Sequence, residues 1–119
     1  MDKDQLKQRT KKFALDIIRF VESLPNGKTA EIIGRQLLRS GTSVGANYRA
    51  ACRARSSADF IAKKMGIVEE ELDESIYWLE LLVDSGIMSS ERAALLAKEA
   101  DELLAISVSS IRTAKGNNR

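Results

Sequence analysis

A chain of 119 residues with 44% apolar and 30% charged side chains is large enough for one folded unit and too apolar to stay disordered. One cysteine, Cys52, excludes an intrachain disulfide, and the absence of histidine removes the Glu-x-x-His pairs of di-iron bundles and the mixed ligand sets of zinc sites. The net charge of +2 hides a segregation: +3 over residues 1–28, +4 over 29–55, −8 over 56–104 and +3 over 105–119. Such a distribution either builds a basic face or pairs internally.

The first helix is predicted over about residues 2–24. Leu6, Phe13, Ile17, Phe20 and Leu24 recur at helical spacing, with Ala14, Ile18 and Val21 widening the stripe. Asp2 or Asp4 is the candidate N-cap, and Pro25-Asn26-Gly27 ends the helix. The charged start, MDKDQLKQRTKK, has no apolar run behind it, so no signal peptide is expected. Nothing approaches the roughly 18 consecutive apolar residues of a membrane span. The expected location is the cytoplasm.

A second helix is predicted over 29–56 with Thr29 as N-cap, carrying Ile32, Ile33, Leu37, Leu38, Val44, Tyr48 and Cys52. Its middle, SGTSVGAN, is poor helix-forming sequence, each glycine costing roughly 1 kcal/mol against alanine. The helix is nevertheless read as continuous, because Gly41, Gly45 and their small neighbours admit another helix at close range, and Asn47 can hydrogen-bond across that contact. The third helix, over 57–85, starts at the Ser56-Ser57 caps and carries two apolar seams. Ile61, Met65, Val68, Leu72, Ile76, Leu79 and Val83 form one, suited to the core. Phe60, Ile67, Trp78 and Leu82 form a second, more than a small bundle needs, and read as a subunit interface together with the small residues of the second helix. The fourth helix, over 89–115, is capped by Ser89 or Ser90 and lined inside by Leu96, Ala100, Leu103, Leu104, Ser107, Val108 and Ile111. Short connections make neighbours antiparallel. The expected fold is all-α, an up-down-up-down four-helix bundle forming a single domain over residues 1–119.

No catalytic constellation emerges, so the chain reads as non-enzymatic with no cofactor. GTSVGAN lacks the Gly-Lys-Ser/Thr ending of a phosphate loop, and no strand precedes it. Cys52 lies among Arg49, Arg53 and Arg55, which would favour a thiolate, but a cysteine on a small-residue helix is more often buried. An all-carboxylate metal site on Glu70, Glu71 and Glu74 is the weak remaining metal reading.

The arginines are more informative. Arg35, Arg39, Arg49 and Arg53 fall on one seam of the second helix. Their guanidinium forks suit bidentate pairing with Glu70, Glu71 and Glu74 on the third helix. They equally suit the phosphates of RNA or DNA. A second basic set, Lys3, Lys7, Arg9, Lys11 and Lys12, opens the first helix, and Arg112, Lys115 and Arg119 end the chain. An antiparallel bundle brings these two sets to one end, where a ring of subunits would multiply them.

The run Arg39-Ser40-Gly41-Thr42-Ser43-Val44-Gly45-Ala46-Asn47-Tyr48-Arg49 resembles the signature of the 23S rRNA intervening-sequence protein family, bacterial four-helix bundle proteins. So do Ala51-Cys52-Arg53-Ala54-Arg55-Ser56, Asp59-Phe60, the acidic run from Glu69 to Glu74, and Trp78-Leu79. Where many relatives have a glutamate shortly after the asparagine, this chain has Ala50 and Ala51. The resemblance implies a ring, a homopentamer, and a likeness to the accessory variability protein of diversity-generating retroelements, a basic pentamer that binds nucleic acid and a reverse transcriptase. It therefore implies RNA or DNA, and an unidentified protein, as partners, and it implies no enzymatic activity. The competing expectation is a structural scaffold or protein-interaction module whose arginines are consumed by internal glutamates.

Overall fold

A computed structural model describes residues 1–53 and 58–117, with side chains through residue 112. Four helices follow one another: α1 (Lys3–Glu22), α2 (Lys28–Arg53), α3 (Ala58–Asp84) and α4 (Ser90–Asn117). They form an all-α antiparallel four-helix bundle, 49 × 22 × 20 Å in extent. Each helix packs on the next in sequence, while α1 and α4 meet only lightly. No described helix is long and apolar enough to cross a membrane.

The helix ends follow local chemistry. Asp2 caps α1 in a capping box: its carboxylate accepts from the Gln5 amide at 2.8 Å, and the Gln5 side chain accepts from the Asp2 amide at 3.0 Å. After Pro25, Gly27 takes a positive φ of 147° and α2 begins directly behind it, so Thr29 lies inside the first turn rather than capping it. Gly86, at φ 80°, ends α3 and lets the Met88 amide reach back to the Leu82 carbonyl at 3.0 Å. Ser89 accepts from the Arg92 amide at the start of α4. The Ser56-Ser57 caps and the expected extension of the second helix to 56 lie outside the described residues.

Each helix buries a stripe that alternates steps of three and four. On α1 it is Leu6, Thr10, Phe13, Ile17 and Phe20; on α3 it is Met65, Val68, Leu72, Ser75, Leu79 and Leu82. That spacing keeps one side of each helix against its neighbours over the bundle's length. Ile18, expected in the α1 stripe, is instead among the exposed apolar residues, because the stripe steps from Ile17 to Phe20 and leaves position 18 about 100° round the helix from Ile17. Leu82 is likewise displaced from its expected role: it is 0% exposed, the last rung of the α3 core stripe. It is therefore unavailable to another subunit.

Among the described residues four buried serine and threonine hydroxyls, of Thr10, Ser40, Ser75 and Ser107, interrupt this core. All are satisfied. Ser40 and Ser75 share a hydrogen bond of 2.8 Å between α2 and α3, and Ser75 also donates to the Glu71 carbonyl. Thr10 and Ser107 donate to carbonyls one turn back in their own helices.

The glycines of α2 explain its continuity through SGTSVGAN. A Cβ on Gly41 would stand 2.8 Å from the Ile17 side chain, one on Gly45 3.3 Å from Thr10, and one on Gly34 2.9 Å from Leu24. The missing side chains let α1 lie close against α2, and packing outweighs the propensity cost. The small-residue face expected to join subunits is thus consumed within the chain.

Candidate nucleic-acid interface

The antiparallel order places the start of α1, the end of α2 and the end of α4 at one end of the molecule. Lys3, Lys7 and Lys11 recur every fourth residue along one flank of α1. On α2, Gly45 faces Thr10 of α1, and Arg49 and Arg53 follow one and two turns further along that side. The five cations therefore occupy adjacent flanks of two packed helices. Lys3, Lys11, Arg49 and Arg53 are exposed, and Lys7 is half-buried. Among the described residues none of them has a carboxylate partner. Arg112, also exposed, adds charge at the same end, whereas the Lys115 side chain lies outside the described residues.

Other cations are engaged. Arg9, expected in the basic patch, instead crosses to α4, donating to Glu99 at 2.7 and 2.6 Å and to Glu102 at 2.7 Å. These bonds hold its guanidinium more firmly protonated than usual, the Glu99 hydrogen bond contributing most. Lys12 and Arg19 share the Asp16 carboxylate at 2.7 and 3.2 Å, and Arg35 pairs with Glu31 one turn back. Arg39 reaches α3, with Glu74 at 2.8 Å and Glu71 at 3.3 Å.

Among the described residues the expected arginine–glutamate pairing between α2 and α3 thus involves Arg39 alone. Arg49 and Arg53 stand about 13 and 20 Å further along α2 than Ser40; the Ser40–Ser75 contact sets the antiparallel register, which puts them level with α3 residues that precede the glutamates. Glu70 is exposed and, among the described residues, has no ion pair. Asn47 donates to the Ser43 carbonyl of its own helix at 2.9 Å rather than across a helix contact. Glu71 is held above the usual carboxylate range, since burial outweighs the nearby Arg39 guanidinium and Glu74 adds like charge.

Cys52 is half-buried beside Tyr48, whose phenol is buried and pushed well above its ordinary pKa by burial first and by the neighbouring thiol second. Asp2 and Asp4 add negative charge near that phenol, so the basic end is not free of carboxylates.

On α3, Phe60 is 39% exposed with the Lys64 ammonium 5.8 Å from its ring centre, and Ile67 and Trp78 are half-buried. Trp78 meets Tyr77 at 5.2 Å between ring centres, and its indole N–H is sealed from solvent without an acceptor among the described residues. Tyr77 is 53% exposed. Sequence reasoning passed over Tyr77, and over Arg92, Leu95 and Lys98 on α4. Leu95 carried a legible signal, an apolar residue outside the three-four stripe formed by Ala93, Leu96, Ala100, Leu103 and Ser107.

Comparison with known proteins adds the family. The sequence model described as 23S rRNA-intervening sequence protein matches residues 2–109. A crystal structure of a protein of unknown function from the S23 ribosomal protein family of Bacteroides thetaiotaomicron VPI-5482 superposes with a TM-score of 0.81 at 34% identity, covering 88% of this chain and 96% of that one. No curated protein matches the chain.

Proposed function

Because the chain belongs to the 23S rRNA-intervening sequence protein family, we propose that it is a non-enzymatic oligomeric protein that binds RNA or DNA through a basic surface repeated around the assembly. The supporting observation is the contrast among its cations. Arg9, Lys12, Arg19, Arg35 and Arg39 are spent on carboxylates, whereas Lys3, Lys7, Lys11, Arg49 and Arg53 lie together without one among the described residues. Polyanion binding draws on this arrangement, since each phosphate neutralised releases condensed counterions. The proposed assembly uses the outer side of α3, with Phe60, Ile67 and Trp78, and the family resemblance supports a homopentamer. The proposed compartment is the cytoplasm.

The test is retention of structured RNA and of DNA by the purified protein across a salt series. Affinity should fall steeply as salt rises. Replacing Lys3, Lys7, Lys11 and Arg112 together by glutamine should abolish retention while the light-scattering mass and helical signal stay unchanged. Retention that survives the quadruple substitution sinks the assignment of this surface.

A second reading, a scaffold or protein-interaction module without nucleic acid, is favoured by the Arg9–Glu99–Glu102 and Arg39–Glu71–Glu74 pairs, which join helices rather than face a ligand. It requires no retention of either nucleic acid at low salt.

A further inference from the structure

Along the light contact between α1 and α4 runs a groove of about 800 Å³. Buried Phe20 and Leu96 line it together with Leu95, which is 80% exposed and the most exposed large apolar side chain described. Its walls carry five cations and three carboxylates. Every carboxylate is already occupied: Glu99 and Glu102 by Arg9, and Asp16 by Lys12 and Arg19. Arg92 and Lys98 are exposed, with no ion pair among the described residues, so the groove carries surplus positive charge around an apolar lip.

The complementary surface is on α3, which lies diagonally across the bundle from α1. Between Gly66 and Asp84 this helix has seven carboxylates and no lysine or arginine. Asp73, Glu74 and Glu80 surround the exposed Tyr77 ring on its outer side. We propose that this acidic, aromatic face of α3 in one copy docks into the basic α1–α4 groove of the next, with Tyr77 against Leu95 and the α3 carboxylates against Arg92 and Lys98.

The inference rests on the assembly proposed above and names its second surface. The two patches lie on different helices and different sides of the chain, so the contact is head-to-tail, the kind that closes into a ring or runs on as a filament. A nucleic acid is a poorer occupant, because only Arg92 and Lys98 remain for its phosphates and a charged backbone leaves the exposed Leu95 uncovered. An α3 face supplies carboxylates for Arg92 and Lys98, which have none within the groove, and a ring to cover Leu95.

Light scattering on the full chain tests the docking. The unaltered protein should exceed the 13.2 kDa of one chain. The pair Arg92→Glu and Lys98→Glu should reduce it to the single-chain mass with its helical signal intact, and Asp73→Lys with Glu80→Lys should do the same. All four substitutions in one chain should restore assembly, because the charges are exchanged rather than lost. If the unaltered protein assembles and the groove pair leaves its mass unchanged, the docking is wrong and the assembly stands. An unaltered protein at single-chain mass across all concentrations removes both. Unchanged mass with lost RNA retention in the groove pair would make the groove a nucleic-acid surface, which also overturns the docking.

Discussion

Ile17, a β-branched side chain fully buried in α1, leaves no room at Gly41 on α2. A methyl group added there would stand 2.8 Å from it and 3.2 Å from its stiff Cβ. Gly41→Ala is therefore expected to destabilise the fold by about 1–3 kcal/mol, the usual cost of overpacking. Gly66, in the middle of α3, has nothing within 4 Å of the same added atom. Gly66→Ala should stabilise by about 0.5–1 kcal/mol, because alanine loses less backbone freedom in a helix. Denaturant midpoints for the two variants should move in opposite directions. Glu71 supplies a pH test at the same scale. Its folded pKa is raised, so the native state holds its proton more tightly than the unfolded chain does. That contribution is complete below the ordinary glutamate range and is lost as pH rises through the raised value. Glu71→Gln has no such proton to lose, so its stability relative to the parent should improve between pH 4 and pH 7. A constant difference across that interval would show that burial does not control this carboxyl group.

The helices were legible in the sequence to different depths, and the differences have physical causes. On α1 and α2 periodicity found the inner side, although Ile18 and Ile32, read with those apolar sets, are exposed. α3 is apolar over more than half its circumference, and periodicity cannot choose among several stripes. The choice falls on one with Ser75 near its centre, a residue that looks polar until Ser40 is placed 2.8 Å away on another helix. That placement turns Leu82 inward and leaves Trp78 on the flank. The two should separate experimentally. Leu82→Ala is expected to cost about 2–5 kcal/mol of folding stability, as deletions of buried leucine do. Trp78→Ala should lower the assembled mass measured by light scattering at concentrations where the chain remains folded. Equal effects of both variants on mass and on stability would remove the distinction between core and interface drawn here. Arg9 was misplaced for a related reason: its partners lie 90 and 93 residues away, and pairing across the bundle leaves no trace in local pattern.

For the whole molecule, the bundle itself followed from stripe spacing and short connections, and the signature run pointed to the family. The candidate site was legible only as blocks of charge. Antiparallel order brought two blocks together, but deciding which cations remain available required knowing where each carboxylate sits. The resulting separation of charge has a consequence for how the protein meets other molecules. Lys3, Lys7, Lys11, Arg49 and Arg53 crowd one tip of a body 49 Å long, while the seven α3 carboxylates between Gly66 and Asp84 lie along the middle and toward the other tip. A particle so polarised has an electric moment far larger than its net charge of +2 suggests. Near a polyanion it would turn like a compass needle before touching, so most encounters would begin tip-first. Approaches led by the flank of α3 would be pushed away while still a Debye length distant, roughly 8 Å at physiological salt.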